Sequence, residues 1–418
     1  MEELYSLLRA LLGMLPRMVS DGGFLVFLLL IMVLVYSQYK RALRLEYHVF
    51  GRLRDTPLAL TMQALGYGLL GGLVATILFV VLGLSLSGAG IIYIFLLAVL
   101  LAMLHPRYMC FSYAGGLVSL AHLLFGFPEV HVPVIMALVA VLHLVEALLI
   151  RLQGHRLATP VYVKHTNGSV VGGFLMQKFW PLPFVALMAV VMLESAMDFH
   201  TLPMPDWWPL MRPAMPVPGG HSMVFFLIPV VAVLGYGDMA VTSSPQAKAR
   251  LSALYLTVFS FVLLVLALAA TRYPWMAWTA ALFAPIGHEW VIHRGQRREQ
   301  ERPPVFTTEH GLMVLDVHPY TPAAKMELRP GDVIQSINGS AVNNPKELLE
   351  QITPWIIDPV LEVQNMLDGS EVRRIQFKGK LPPVGIIPVP DPNQGGFMGM
   401  DGESLITWVQ KRLRGGKG

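Results

Sequence analysis

Leu328-Arg329-Pro330-Gly331-Asp332-Val333-Ile334-Gln335-Ser336-Ile337-Asn338-Gly339 is the stretch that says most about this chain. Pro-Gly closes a tight turn, Val333 to Ile337 supplies the β-branched run of a buried strand, and Asn-Gly makes a second turn. Working outward, Gly311-Leu312-Met313-Val314 reads as a strand entered through a glycine turn, and Pro322-Ala323-Ala324 as a short helix. Downstream, residues 345–352 give a helix, and residues 360–364 and 372–377 a hairpin around Asp368-Gly369. Residues 384–389 supply the last strand of the segment.

This order of elements resembles a PDZ domain of the bacterial protease-associated type. Such domains bind an extended peptide by adding it as a strand to an open sheet edge, and a backbone nest holds a terminal carboxylate. The resemblance implies that His310, Gly311 and Leu312 form the nest and that Leu312, Met313, Val314 and Leu315 begin the strand the peptide pairs with. The helix from Pro345, with Leu348, Leu349 and Ile352, is then the opposite wall; Leu312, Val314, Leu348 and Ile352 serve equally well as plain core. One departure stands out: Glu327 occupies the position where the pattern has glycine ending the short helix, so a positive φ there would cost roughly 1 kcal/mol.

The chain as a whole points to lipid. Its 418 residues are 54% hydrophobic and only 14% charged, against about 25% charged in soluble domains, and mean hydropathy is +0.56. The net charge of +4 is small; its uneven spread bears on topology, and no nucleic-acid partner is expected. Cys110 is the single cysteine, so no intrachain disulfide can form. Glu2 and Glu3 sit where a secretory leader would carry positive charge, so no cleaved leader is expected.

About 20 residues of helix cross a bilayer. Apolar runs near 23–36, 64–86, 90–104, 109–125, 132–150, 183–193, 223–234, 251–270 and 275–292 therefore predict a polytopic α-helical bundle of eight to nine spans, followed by a small α+β PDZ domain. The implied layout is an amphipathic segment over residues 1–20, a transmembrane domain over 21–300, the PDZ domain over 301–390, and a linker with a basic amphipathic helix over 391–418. Lys40, Arg41, Arg44, Arg52 and Arg54 follow the first run, and Arg294, Arg297, Arg298 and Arg302 the last, while the alternate loops hold only Arg212 and Arg272. By the positive-inside rule the PDZ domain is cytoplasmic in a multi-pass cell-membrane protein.

Asn167-Gly168 between residues 161–163 and 170–174 signals a small hairpin. Residues 199–220, with Trp207, Trp208 and several prolines, read as an interfacial cap. Gly68 and Gly72, one turn apart, allow another helix to approach closely. The polar residues inside spans are His122, His143 and Glu146; they suit either a proton path or, the favoured reading, a polar clasp between helices.

No catalytic motif is expected. His288-Glu289-Trp290-Val291-Ile292-His293 places its histidines five apart, whereas a zinc protease helix needs four so that both face the metal. Ser85 lacks the glycine two residues on that a nucleophile elbow requires. No cofactor and no metal ligand is expected.

Three stretches carry a wider resemblance: the basic run 39–54, Gly172-Gly173 to Lys178-Phe179-Trp180-Pro181, and Gly235-Tyr236-Gly237-Asp238 to Lys248-Ala249-Arg250. With the order of elements, they look like the MinJ-type division-site determinants of Gram-positive bacteria. That resemblance implies a non-catalytic scaffold at the septum or pole that bridges a DivIVA-like coiled coil to the Min ATPase system. The alternative is a transporter, or a regulator of a membrane peptidase, with the PDZ domain as sensor.

Overall fold

The computed structural model describes residues 2–50, 53–166, 168–197, 201–202, 204–213, 215–308, 310–352, 356–367, 369–379 and 384–390. The basic helix expected after residue 390 lies outside these. Helices α1 (Glu2–Ser20), α2 (Gly22–Phe50), α3 (Pro57–Leu82), α4 (Ile91–Leu104), α5 (Phe111–Phe125) and α6 (Val132–Gln153) come first. Strands β1 (Thr159–Lys164), β2 (Val170–Leu193) and β3 (His221–Ala240) follow, then α7 (Pro245–Arg272) and α8 (Met276–Glu301).

Local chemistry sets the helix ends. The Thr56 hydroxyl accepts the Ala59 N–H ahead of Pro57, and Gly83 ends α3 in the left-handed region at φ 66°. Ser244 caps α7 in the same way ahead of Pro245. α6 is buried along most of its length and forms the axis of the bundle. Among the described residues four helices, α2 over Gly22–Arg44, α3, α6 and α7, are long and apolar enough to cross a membrane, and α4 and α5 are shorter apolar helices. Val26, Leu29 and Val33 on α2, and Phe95, Val99 and Met103 on α4, are exposed. An apolar girdle of this extent needs lipid around it.

The expectation of eight to nine helical spans is corrected here. The runs at 183–193 and 223–234 are not helices: they belong to β2 and β3, which pair antiparallel from Phe174↔Ala240 to Leu193↔His221. β1 pairs with the start of β2 through the turn containing Gly168, as the hairpin signal implied. Two physical reasons override the helical reading. Pro229 would break the interior of a helix over 223–234, and Pro181 and Pro183 keep a helix over 183–193 from extending toward its N-terminus; without that extension the run falls well short of the about 20 residues a spanning helix needs.

A strand edge buried away from water must satisfy its backbone groups locally. On the side of β2 facing away from β3, Phe179 exchanges hydrogen bonds with the Tyr39 hydroxyl, donating at 3.4 Å and accepting at 3.3 Å. Pro181 and Pro183 have no N–H to satisfy. Val185 N–H donates to Thr76 Oγ1 at 2.9 Å, and Leu187 C=O accepts Leu86 N–H at 2.8 Å. Ala189 donates to Ser85 Oγ at 2.9 Å and accepts from Ser87 Oγ at 2.8 Å. Gly68 and Gly72 permit the close approach, because a methyl group on either would fall on the carbonyl of Pro181 or Pro183. The glycine pair therefore receives a strand, not the helix expected from the sequence. Beyond the strand ends, Trp208 donates to Val80 C=O at 2.7 Å, so the prolyl-tryptophan loop packs over the C-terminal end of α3.

The C-terminal unit consists of β4 (Leu312–Val317), α9 (Pro322–Lys325), β5 (Asp332–Ile337), β6 (Ser340–Ala341), α10 (Pro345–Gln351), β7 (Val360–Asn365), β8 (Arg373–Gln376) and β9 (Ile386–Pro388). The sheet runs β8-β7-β5-β4-β9, with β6 on β5. Buried Asp332 explains its place after Pro-Gly: it accepts from Arg329 N–H at 2.8 Å, Asn365 Nδ2 at 2.8 Å and Arg373 Nη2 at 3.0 Å. Glu327 does adopt a positive φ, 56°.

This unit is docked on the membrane sheet. Phe306 stacks edge-on against Phe174 at 5.1 Å, Phe306 C=O accepts Gly172 N–H at 3.3 Å, and Met313, Leu315 and Ile387 share the bundle's core. Arg54 forms an ion pair with Asp316, and the Tyr162 hydroxyl donates to Pro388 C=O at 3.1 Å.

Candidate functional site

The expected peptide-binding strand is present, but its edge is not open. β4 pairs with β5 at Leu312↔Ile334 and Met313↔Val333, and with β9 at Val314↔Pro388, Asp316↔Ile387 and Val317↔Ile386. Val389 N–H donates to Met313 C=O at 2.9 Å, extending that cover. Leu312, Met313, Val314 and Leu315 are buried, as their core reading required. Gly311 has the positive φ of a nest, 78°, yet its N–H is taken by Asn343 Oδ1 at 3.2 Å. His310 is exposed. The placement of a peptide on β4 is therefore corrected: the chain itself supplies the next strand, and among the described residues the sheet ends at β9.

On α10 the two leucines divide. Leu348 is core, and Leu349 is 68% exposed. Leu348 packs in the same cluster as Val384 and Ile386, so α10 and the entry to β9 flank one another. Gly385, at φ 78°, makes that entry possible; a Cβ there would strike Thr321.

The Arg54–Asp316 contact was not foreseen, because 262 positions separate its partners. Burial pushes the Asp316 carboxyl up, and the Arg54 guanidinium offsets this only in part. At the exposed surface of β7, the Ser336 hydroxyl and then Arg374 hold Glu362 below the usual carboxylate range.

The three intramembrane polar residues separate. His122 Nδ1 lies 2.9 Å from Pro128 C=O at the end of its own helix. His143 bridges helices: its Nδ1 bonds Val139 C=O at 2.7 Å, and its Nε2 lies 3.0 Å from Cys110 Sγ. Glu146 forms no hydrogen bond among the described residues, so the clasp is made by His143 without it. His288 stands beside this pair, with Nε2 3.7 Å from Cys110 Sγ and its ring 5.2 Å from that of His143. The two histidines of the 288–293 run diverge. His293 is on the outside, 3.3 Å from Glu289, whose other contacts are Arg107 at 2.9 Å and the Tyr113 hydroxyl at 2.5 Å.

A second polar group went unforeseen as a cluster. Buried Lys248 reaches Asp238 at 3.3 Å, Glu299 at 3.5 Å and Gly295 C=O at 3.2 Å. Glu299 in turn accepts the N–H groups of Val241 and Thr242, both at 2.8 Å. The ion pair ties the end of β3 to α7 and α8 just ahead of the PDZ fold.

Comparison with known proteins agrees with this arrangement. Residues 294–369 match the PDZ domain family. Over 266 residues the chain is 26% identical to the protein named cell division topological determinant MinJ of Bacillus subtilis (strain 168). The match covers 63% of this chain and 63% of that relative, so the chain spans less than two thirds of its length. No solved structure matches. Together these findings describe a MinJ-like protein that carries a PDZ domain.

Proposed function

We propose that this chain acts in the placement of cell division as a membrane-held recruiter, with its PDZ domain on the cytoplasmic side. The observation that carries the reading is the PDZ fold seated on an apolar bundle through Phe306, Arg54–Asp316 and Tyr162, in a chain similar to a named division determinant. The work is adhesion: a peptide-binding domain confined to a membrane patch meets its partners at raised effective concentration, so modest affinity suffices. Partners are proteins presenting an extended or C-terminal segment, a DivIVA-like coiled coil and the Min ATPase system among them. The segment adds at the outer side of β9 beside α10, since β4 is already paired on both sides.

The test is Leu349→Arg in a fluorescent fusion of the full chain. This position is exposed, so the fold is preserved. The expected result is normal membrane insertion and division-site position with at least a tenfold loss of partner recruitment. Unchanged recruitment would remove the α10 side of the groove from the proposal.

A further inference from the structure

Cys110, His143 and His288 come from three different helical segments: the N-cap of α5, the middle of α6 and the middle of α8. Their ligand atoms all lie within 4.8 Å of one another. We infer that Cys110, His143 and His288 form a metal site that takes a single zinc-class ion and pins α5, α6 and α8 together inside the membrane bundle.

The geometry is close to what the ion requires. Zn–S and Zn–N bonds of about 2.3 and 2.05 Å at tetrahedral angles put sulfur and nitrogen about 3.5 Å apart. Cys110 Sγ stands 3.0 and 3.7 Å from the two Nε2 atoms, each within about half an ångström of that separation. The tautomer is also prepared. His143 Nδ1 lies 2.7 Å from the Val139 carbonyl, so Nδ1 carries the proton and the Nε2 lone pair points at the sulfur, as in metal sites whose histidines are oriented by an outer carbonyl.

The competing arrangement is a hydrogen-bonded clasp, in which the thiol donates to His143 Nε2 and its sulfur accepts from His288 Nε2–H. Phe259 and Tyr113 set their ring edges against the cluster and supply apolar walls. One cation satisfies the convergent donors at once. The thiol proton leaves to solvent as the S–Zn bond forms, and no redox change is involved. Three protein ligands leave a fourth position for water.

The proposal is independent of the recruiting function and is tested on the full chain, purified in detergent without a polyhistidine tag. Its zinc content should be close to one equivalent. Cobalt added to metal-stripped protein should give a thiolate-to-cobalt charge-transfer band together with tetrahedral visible bands. Cys110→Ser should abolish the charge-transfer band, and His143→Asn should lower metal content at least tenfold. Titration of the unsubstituted chain needs no variant, so misfolding of a variant cannot mask the answer. Below a tenth of an equivalent after zinc supply, with no charge-transfer band, the site does not exist and the cluster is a hydrogen-bonded clasp. A charge-transfer band surviving in Cys110→Ser would equally overturn it.

Discussion

β2 in the membrane sheet and β4 in the PDZ sheet each have one side that their hairpin partner leaves uncovered, and the two sides are closed in different ways. Along β2 the closure is made residue by residue, by Tyr39, Thr76, Ser85, Leu86 and Ser87, with two prolines removing donors. Along β4 it is made by one short strand of the same kind, β9. The difference follows from the solvent. Water can satisfy any backbone group that β9 misses, whereas a group missed along the buried β2 edge stays unpaired at a cost of several kcal/mol. The edge buried in the bundle is therefore fixed largely by side-chain chemistry, and the water-side edge needs only a strand of adequate register.

The sharpest way to break this contrast is to add bulk where α3 meets β2. Gly68→Val should cost more than about 4 kcal/mol, because the backbone of β2 would have to move. It should leave no monodisperse protein in detergent chromatography. Gly66→Ala, with open space around it, should fold normally. A milder change tests the hydrogen bonding itself. Thr76→Val keeps the shape but orphans Val185 N–H, so thermal unfolding should report a loss of about 1–3 kcal/mol that Thr76→Ser largely restores. Val185 lies beyond the reach of water in this arrangement, so a neutral Thr76→Val would show that water enters along the β2 edge.

The smallest effects concern the water side and carry opposite signs. Asp316 has a raised folded-state pKa, so its contribution to stability is fully present below the unfolded carboxylate pKa and is lost as pH rises through the folded value. Glu362 has a lowered one, so its contribution is present above the unfolded pKa and is lost as pH falls through the folded value. Stability measured between pH 7 and 3 should thus diverge from the Asp316→Asn and Glu362→Gln variants in opposite directions. Parallel curves would mean that burial does not dominate at Asp316.

The PDZ fold was legible in the sequence because its signals are local: Pro-Gly before Asp332, Asn-Gly after Ile337, and proline at the start of each short helix. Glu327 was legible for the same reason. The β2–β3 hairpin was not, since a buried apolar run of that length fits a strand or a short span equally well. The prolines at 181, 183 and 229 were the available signal. The closure of β4 was hidden because β9 reads as an ordinary last strand, and nothing local says which neighbour it joins. Cys110 was passed over for want of partners within its own segment; His143 and His288 lie 33 and 178 positions away. Those are distances that spacing rules do not span.

The order of segments along the chain has a consequence for how the hairpin reaches its place. Tyr39, the glycine face of α3, Thr76 and the 85–87 turn all precede residue 170, so during synthesis they emerge first. The strand that cannot tolerate bare lipid arrives to find its receptor surface already built, and β3 then zips onto a template that is complete on its far side. A circular permutation that placed α3 after β3 would keep every final contact and yet deprive the nascent hairpin of shelter.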